Sequence, residues 1–209
     1  MSLLTMKKRM FIASIEDWGL PNGYTKVEYI QSTTRKEWFD TGVYSKSNLQ
    51  MQGKVYAAIP SDDKKFVYGG EGTFGTESTS FYLLKNFSWG IRLHRTDYEG
   101  YEYGGGTITF DINRNRAILN GTTVATYSCD NYETTQRTIY IFGTSSGLRT
   151  RSDKGDNGTM RLYWFKIYSD STLVRDFIPC LDTSGTPCLF DRVGQTTYYN
   201  KGSGTLTYG

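Results

Sequence analysis

The chain reads as an all-β protein, an antiparallel two-sheet jelly-roll β-sandwich, and three observations lead there. Apolar residues recur at Leu49, Met51, Gly53, Val55, Ala57 and Ile59, with Gln50, Gln52, Lys54, Tyr56 and Ala58 between them. A period of two sends these sets to opposite faces of a pleated strand. No long segment carries the 3.6-residue period of an amphipathic helix. Of the 209 residues 15% are aromatic, with 17 tyrosines and 11 phenylalanines, a composition that suits half-buried pleated surfaces.

The elements follow in chain order. Residues 1–19 contain no turn signal, and Met10-Phe-Ile-Ala-Ser-Ile15 is apolar enough to need covering. They read as an arm that pairs with a neighbour's sheet edge or anchors the domain to a larger assembly. The alternative is a terminal strand or a frayed tail. Pro21-Asn-Gly23 turns the chain into a first strand, Tyr24–Gln31, which opens a domain over residues 20–209. The alternating strand from Leu49 has one weak point, Gly53, which marks a bulge or a close backbone approach. Pro60-Ser-Asp-Asp63 ends it. Lys65–Gly70, Thr79–Leu84 and Trp89–Leu93 read as strands, and His94–Gly106 as a loop rich in Tyr, Gly and charge.

Thr107–Asn113 alternates again, with Ile108, Phe110 and Ile112 inward. Asn113-Arg-Asn-Arg116 turns the chain, Arg116–Asn120 returns, and Asn120-Gly121 supplies the tight reverse favoured where φ is positive. Thr122–Tyr127 completes a meander. Thr138–Phe142 is a strand ending at Gly143, and residues 144–158 are a polar loop. Met160–Tyr168 is apolar at both parities, the pattern of a strand covered on both faces. Leu173–Ile178 pairs with it across Ser169-Asp-Ser171.

Two groups of segments carry a resemblance. At the start stand Leu20-Pro-Asn-Gly-Tyr-Thr-Lys-Val-Glu-Tyr-Ile-Gln-Ser-Thr33 and Phe39-Asp-Thr-Gly-Val43. At the end stand Arg161-Leu-Tyr-Trp-Phe-Lys-Ile-Tyr168, Leu173-Val-Arg-Asp-Phe-Ile-Pro-Cys180, Leu189-Phe-Asp191 and Gly202-Ser-Gly-Thr-Leu-Thr207. In this order, over roughly residues 20–209, they resemble the LamG-like (concanavalin A-like) β-sandwich proteins encoded by bacteriophages and prophages of gut bacteria. The unit around Leu119-Asn-Gly121 is similar to the hairpin of LamG-type lectin domains.

The resemblance implies a non-enzymatic virion component, a fibre, tail-tip or capsid-surface protein, that displays the domain for attachment to host-surface glycans. It implies other virion proteins as partners through the arm, and a homo-oligomer, with the trimer common among phage fibres. It places the protein on the particle surface after synthesis in the bacterial cytoplasm. The start of the chain agrees: the apolar run Met10–Ile15 is six residues long and ends at Glu16-Asp17, whereas a secretory core needs about 7–15. No stretch approaches the ~20 apolar residues that span a membrane. A stand-alone bacterial carbohydrate-binding module is the alternative, and a polysaccharide hydrolase the third reading.

The totals exclude further classes. A formal charge of +3, with Lys and Arg scattered, lacks the clustered basic face of a nucleic-acid binder. Three cysteines, Cys129, Cys180 and Cys188, do not make a disulfide framework, and three unpaired thiols are expected. Cys180 and Cys188 nevertheless flank a Thr-Ser-Gly turn. Sandwich hydrolases use carboxylates alternating on one strand, such as Glu-x-Asp-x-x-Glu, to set acid and nucleophile about 5 Å apart. No such run is read: Glu71 and Glu77 lie six apart, and Asp111 is alone on its strand. The single histidine, His94, has no nucleophile context, and no His/Cys spacing suits zinc. Gly104-Gly-Gly106 precedes a strand, so no helix N-terminus cradles phosphate.

Two sites remain as expectations. Many LamG-like domains bind calcium, and Asp153, Asp156 and Asn157 supply part of the 6–8 oxygens it takes; otherwise they form a solvated turn. Sugars stack their C–H faces on aromatic rings and bond their hydroxyls to Asp, Asn and Arg. Trp89, Tyr98, Tyr101 and Tyr103, with His94, Arg95 and Asp97 between them, form the candidate carbohydrate site. The same aromatics would equally cap the core or serve a protein interface.

Overall fold

The computed structural model describes residues 19–34, 36–58, 65–71, 78–84, 88–93, 96–100, 106–143 and 159–209. Among them run seventeen strands and no helix. The first half holds β1 (Thr25–Lys26), β2 (Ile30–Ser32), β3 (Phe39–Lys46), β4 (Leu49–Ala57), β5 (Lys65–Glu71), β6 (Ser78–Leu84), β7 (Ser88–Leu93) and β8 (Thr96–Gly100). The second half holds β9 (Gly106–Ile112), β10 (Arg116–Leu119), β11 (Thr122–Thr126), β12 (Glu133–Ile141), β13 (Met160–Ser169), β14 (Thr172–Leu181), β15 (Pro187–Asp191), β16 (Thr196–Tyr199) and β17 (Thr207–Tyr208). Eleven strands make one antiparallel sheet, ordered β11-β10-β9-β4-β13-β14-β15-β16, with β2 beside β13, β17 beside β2 and β1 beside β14. The other six make a second, ordered β3-β12-β5-β6-β7-β8. The two sheets pack face to face as a β-sandwich, the architecture that lets each bury one apolar face. The residues before Gly19, most of the expected arm, lie outside the described residues.

The alternation in β4 and β9 places their side chains as read. Leu49, Met51, Gly53, Val55 and Ala57 are buried, and the intervening residues are half-buried. Ile108, Phe110 and Ile112 face the core. The Asn120-Gly121 reverse has φ of 49° and 80°, the pair of positive angles that a tight hairpin needs.

The sandwich is held by rings that meet across the two sheets. Tyr68 and Phe81 come from the six-stranded sheet, and Phe110 and Phe165 from the eleven-stranded one. Tyr68 lies 5.9 Å from Phe110 and 5.6 Å from Phe165, and Phe81 lies 5.2 Å from Phe110. All are tilted, a geometry worth about 0.5–1.5 kcal/mol per pair beyond area burial. The Tyr68 phenol is pushed well up by burial. Phe110 reaches this cluster by lying over Gly53, its partner in register across β4 and β9. A Cβ at Gly53 would overlap the Phe110 ring. Of the two roles expected for Gly53, it serves the close approach.

The bulge lies opposite, on β13. The register between β13 and β4 shifts between Leu162 and Trp164, so Tyr163 is an extra residue. Leu162, Phe165 and Ile167 are all buried although their spacing changes parity. This corrects the expectation of a strand covered on both faces. The apolar residues at both parities arise because one inserted residue flips the phase, and Tyr163 and Trp164 stay half-buried on the outer face. The structure adds strands that the sequence reading did not assign. Thr96–Gly100 is a strand where a loop was expected, and Phe39–Lys46 carries a positive φ of 68° at Gly42 that breaks its alternation.

The two ends of the domain close on each other. β17 pairs with β2, Thr207 opposite Gln31 and Tyr208 opposite Ile30. Glu37 is fully buried, yet it accepts hydrogen bonds from Ser32 Oγ at 2.9 Å, Thr34 N at 3.1 Å and Thr34 Oγ1 at 2.7 Å. A buried carboxylate is tolerated only when bonded in this way. Gly204 packs against that carboxylate, where a Cβ would clash. Asn200 Oδ1 accepts from the backbone N–H of Trp38 at 3.0 Å and of Gly202 at 2.9 Å.

In the β14–β15 hairpin Cys180 and Cys188 are directly paired, their sulfurs 3.4 Å apart, and both are free thiols, as is Cys129. The hydrogen bond from Cys188 holds the Cys180 thiol below its ordinary range, and the same contact pushes Cys188 far up. The hairpin turn is tied by Asp182. Its carboxylate accepts from the N–H of Thr186 at 2.9 Å and of Ser184 at 2.8 Å, and from Tyr199 Oη at 3.0 Å. These bonds hold the Asp182 carboxyl below the usual range, the Thr186 bond foremost.

Two outcomes follow. Gly53→Ala forces Phe110 out of its place and lowers stability by about 1–3 kcal/mol, read as a lower denaturant midpoint with unchanged m-value. An unchanged midpoint would show that the ring can move without loss. For Asp182, a depressed folded-state pKa means stabilisation that is present above the unfolded value of about 4 and lost as pH falls through the lower folded value. The stability gap between wild type and Asp182→Asn is therefore full at pH 6 and closes below about pH 4. A gap that widens in acid would contradict this assignment.

Candidate functional site

The described part of the expected carbohydrate site divides between two faces. Trp89 is only 5% exposed. It sits opposite Gly100 across β7 and β8, and its indole fills the space that a Cβ at Gly100 would occupy. This corrects the expectation of an exposed platform ring: the strand's alternation turns Trp89 inward, beside Ile91 and Leu93. Tyr98 faces the same way, packed against the core with its ring 4.7 Å from Tyr127. Asp97 is exposed on the opposite face. His94, Arg95, Tyr101 and Tyr103 lie outside the described residues, as do Asp153, Asp156 and Asn157 of the expected calcium loop.

Asp97 does not stand alone. Glu99, two residues on along β8, shares its face, and the Tyr82 hydroxyl donates to both, at 3.1 Å to Asp97 and 3.2 Å to Glu99. Tyr82 reaches them because its ring lies over Gly90, the glycine opposite it in β7. Burial and these two carboxylates push the Tyr82 phenol far up. Arg92 Nε is 3.5 Å from Asp97. Asp97-Tyr-Glu99, continued in sequence by Glu102, is an alternating acidic run that the sequence reading missed by treating the segment as loop.

The outer face of the eleven-stranded sheet carries a second, larger constellation that the sequence reading did not assemble. Register aligns Tyr56, Arg161 and Gln31 in one row across β4, β13 and β2, with Thr207 of β17 at its end. The next row pairs Lys54 with Trp164, and the next Gln52 with Lys166. The bulge residue Tyr163 lies among them, 5.8 Å from Tyr29 edge to face. Four aromatic rings are thus interleaved with cations. The Arg161 guanidinium lies over Tyr29 at 4.4 Å and Tyr56 at 5.1 Å, Lys54 Nζ over Tyr163 at 4.6 Å, and Lys166 Nζ over Trp164 at 5.9 Å. Each contact is worth about 0.5–1 kcal/mol at an exposed site and restricts the ring it covers. All of these side chains are half-buried, so each keeps a wet surface. The signal that could have found them is the polar set Gln50, Gln52, Lys54 and Tyr56, read together with the bulge in β13.

A polar cleft of about 490 Å³ lies at the sandwich rim, lined by Lys46, Asn48, Arg114, Asn131, Tyr132 and Asp170. Its groups mostly bond one another: Arg114 donates to Asn131 Oδ1 at 2.6 Å and to the Cys129 carbonyl at 3.3 Å, and Asn48 donates to Asp170. No group of three or more His, Cys, Asp or Glu among the described residues is placed to hold a metal ion. No described helix is long and apolar enough to cross a membrane.

No family model matches the chain, and no curated protein does. Among solved structures the chain is similar to the Ruminococcus gnavus IT-sialidase CBM40 bound to alpha2,6 sialyllactose, with a TM-score of 0.39 and 16% sequence identity, over 64% of this chain and 90% of that one.

Proposed function

We propose that this domain is a non-catalytic glycan-binding module that presents the outer face of its eleven-stranded sheet to sugars. One observation carries the reading: Tyr29, Tyr56, Tyr163 and Trp164 form a solvent-facing ring surface bordered by hydroxyl, amide and cationic groups. A pyranose offers an apolar C–H face to such rings, and its hydroxyls meet Gln31, Gln52 and Thr207 at the margins. The rings are set by backbone register and by cation stacking before any ligand arrives, which reduces the ordering cost of binding. The setting on a phage particle, with the domain displayed for host attachment and partnered through the N-terminal arm, rests on the resemblance of the end segments. Detection of the protein by mass spectrometry in purified phage particles tests that setting.

The reading is tested on a glycan array, followed by titration of the best ligand. The paired change Tyr163→Ala and Trp164→Ala weakens binding by at least about tenfold, or 1.4 kcal/mol, while the melting curve shows a folded protein. A folded variant that binds as wild type, or a wild type that binds nothing on the array, would remove this face as the site.

One observation favours a second reading, a polysaccharide hydrolase. Asp97 and Glu99 share a face of β8 and a common donor in Tyr82, the kind of carboxylate pairing that retaining glycosidases use at about 5 Å. The non-catalytic reading expects no release of reducing sugar from capsular or cell-wall polysaccharide. Sustained release that Glu99→Gln abolishes would replace it with the hydrolase.

A further inference from the structure

Three described arginine heads on this domain form ion pairs. Arg92 meets Asp97 at 3.5 Å, Arg175 meets Asp191 at 3.6 Å and Arg192 meets Asp176 at 2.6 Å. Arg161 differs. Its guanidinium is wedged between the rings of Tyr29 and Tyr56, and its Nε donates to Gln31 Oε1 at 2.8 Å. Gln31 is held in turn, its amide donating to Thr207 Oγ1 at 3.0 Å. No carboxylate among the described residues stands within ion-pair distance of Arg161. The head is thus fixed in orientation by two rings and one amide, and its two terminal nitrogens have no acceptor among the described residues.

The surroundings keep the charge uncompensated. Lys54 and Lys166 stack on neighbouring rings of the same face, and neither is ion-paired among the described residues. The nearest acid in register, Asp111, is occupied by the amides of Gln50 at 2.6 Å and Gln52 at 3.1 Å. Asp176, in register with Lys166, is bound by Arg192. Three cations therefore share a face on which the two described acids in register, Asp111 and Asp176, are each engaged by another side chain.

Resting on the glycan-binding reading, we propose that the ligand is an acidic glycan and that Arg161 receives its carboxylate. A planar guanidinium fork matches a planar carboxylate with two parallel N–H···O bonds, stronger and more directional than a lysine contact. Here the fork is pre-oriented, so little freedom is lost on binding. Lys54 and Lys166 supply the long-range attraction, and Tyr163 and Trp164 receive the sugar ring beside it. Charge complementarity favours an acidic occupant, and the adjacent wet rings favour a sugar over an extended acidic peptide.

The test uses the full chain and an array of sialylated and uronate-bearing glycans, each printed beside its methyl ester, with neutral glycans and polyglutamate as further arms. The expected result is binding to at least one carboxylate form at least about tenfold tighter than to its ester. Arg161→Lys, which keeps the charge but loses the fork, and Arg161→Gln both erase that preference while remaining folded by melting curve. Raising salt from 50 to 500 mM weakens the residual binding of the lysine variant more than that of wild type, since an exposed point charge is screened more than a bidentate contact. Equal binding of acid and ester, or binding to neutral glycans alone, overturns the acidic inference and leaves the glycan-binding reading standing. Binding to polyglutamate with no glycan bound overturns both, as does no binding to any arm. A preserved carboxylate preference in folded Arg161→Gln overturns the role given to Arg161.

Discussion

Phe110 lies across Gly53, and much of the sandwich depends on that contact. The two sheets close at their centre because one strand of the larger sheet carries no side chain at the point where a ring from its neighbour must lie. From there Phe110 meets Phe81, Tyr68 and Phe165, which ties β9 to β5, β6 and β13 at one place. The same device recurs in the smaller sheet, where Tyr82 covers Gly90 and Trp89 covers Gly100. In each case the glycine weakens the strand by its own propensity, and the cross-strand ring restores the packing. The recurrence commits the Trp89 indole to the interior.

How much was legible in the sequence follows from these particulars. The alternation of Leu49 to Ala57 and of Ile108 to Ile112 is a direct imprint of the pleat, and Asn120-Gly121 is a direct imprint of positive φ. The phase change in β13 was not legible, because a bulge at Tyr163 and a strand apolar on both faces give the same string of letters. The strand Thr96–Gly100 was hidden by Tyr, Gly and acid composition, and with it the shared face of Asp97 and Glu99. The platform was hidden for a different reason. Tyr29, Tyr56 and Arg161 come from segments more than a hundred residues apart in part, and only strand order makes them neighbours.

The candidate platform and the closure of the domain are one construction. β2 lies between β13 and β17, so the strand that joins the two end segments also positions Gln31, and Gln31 holds Arg161. Gly209 packs against the Tyr29 ring, and its backbone bonds Glu28 and Tyr29. Segments from both ends of the domain, β2 and β17, build this corner.

The antiparallel pairing of Ile30 with Tyr208 has a mechanical meaning. The chain enters β2 at the same side from which it leaves β17. A force applied between the start of β2 and the end of β17 would open their hydrogen bonds one after another, like a zip, instead of loading them all at once. This corner is therefore stronger when loaded through the sheet face than when these two strand ends are pulled apart.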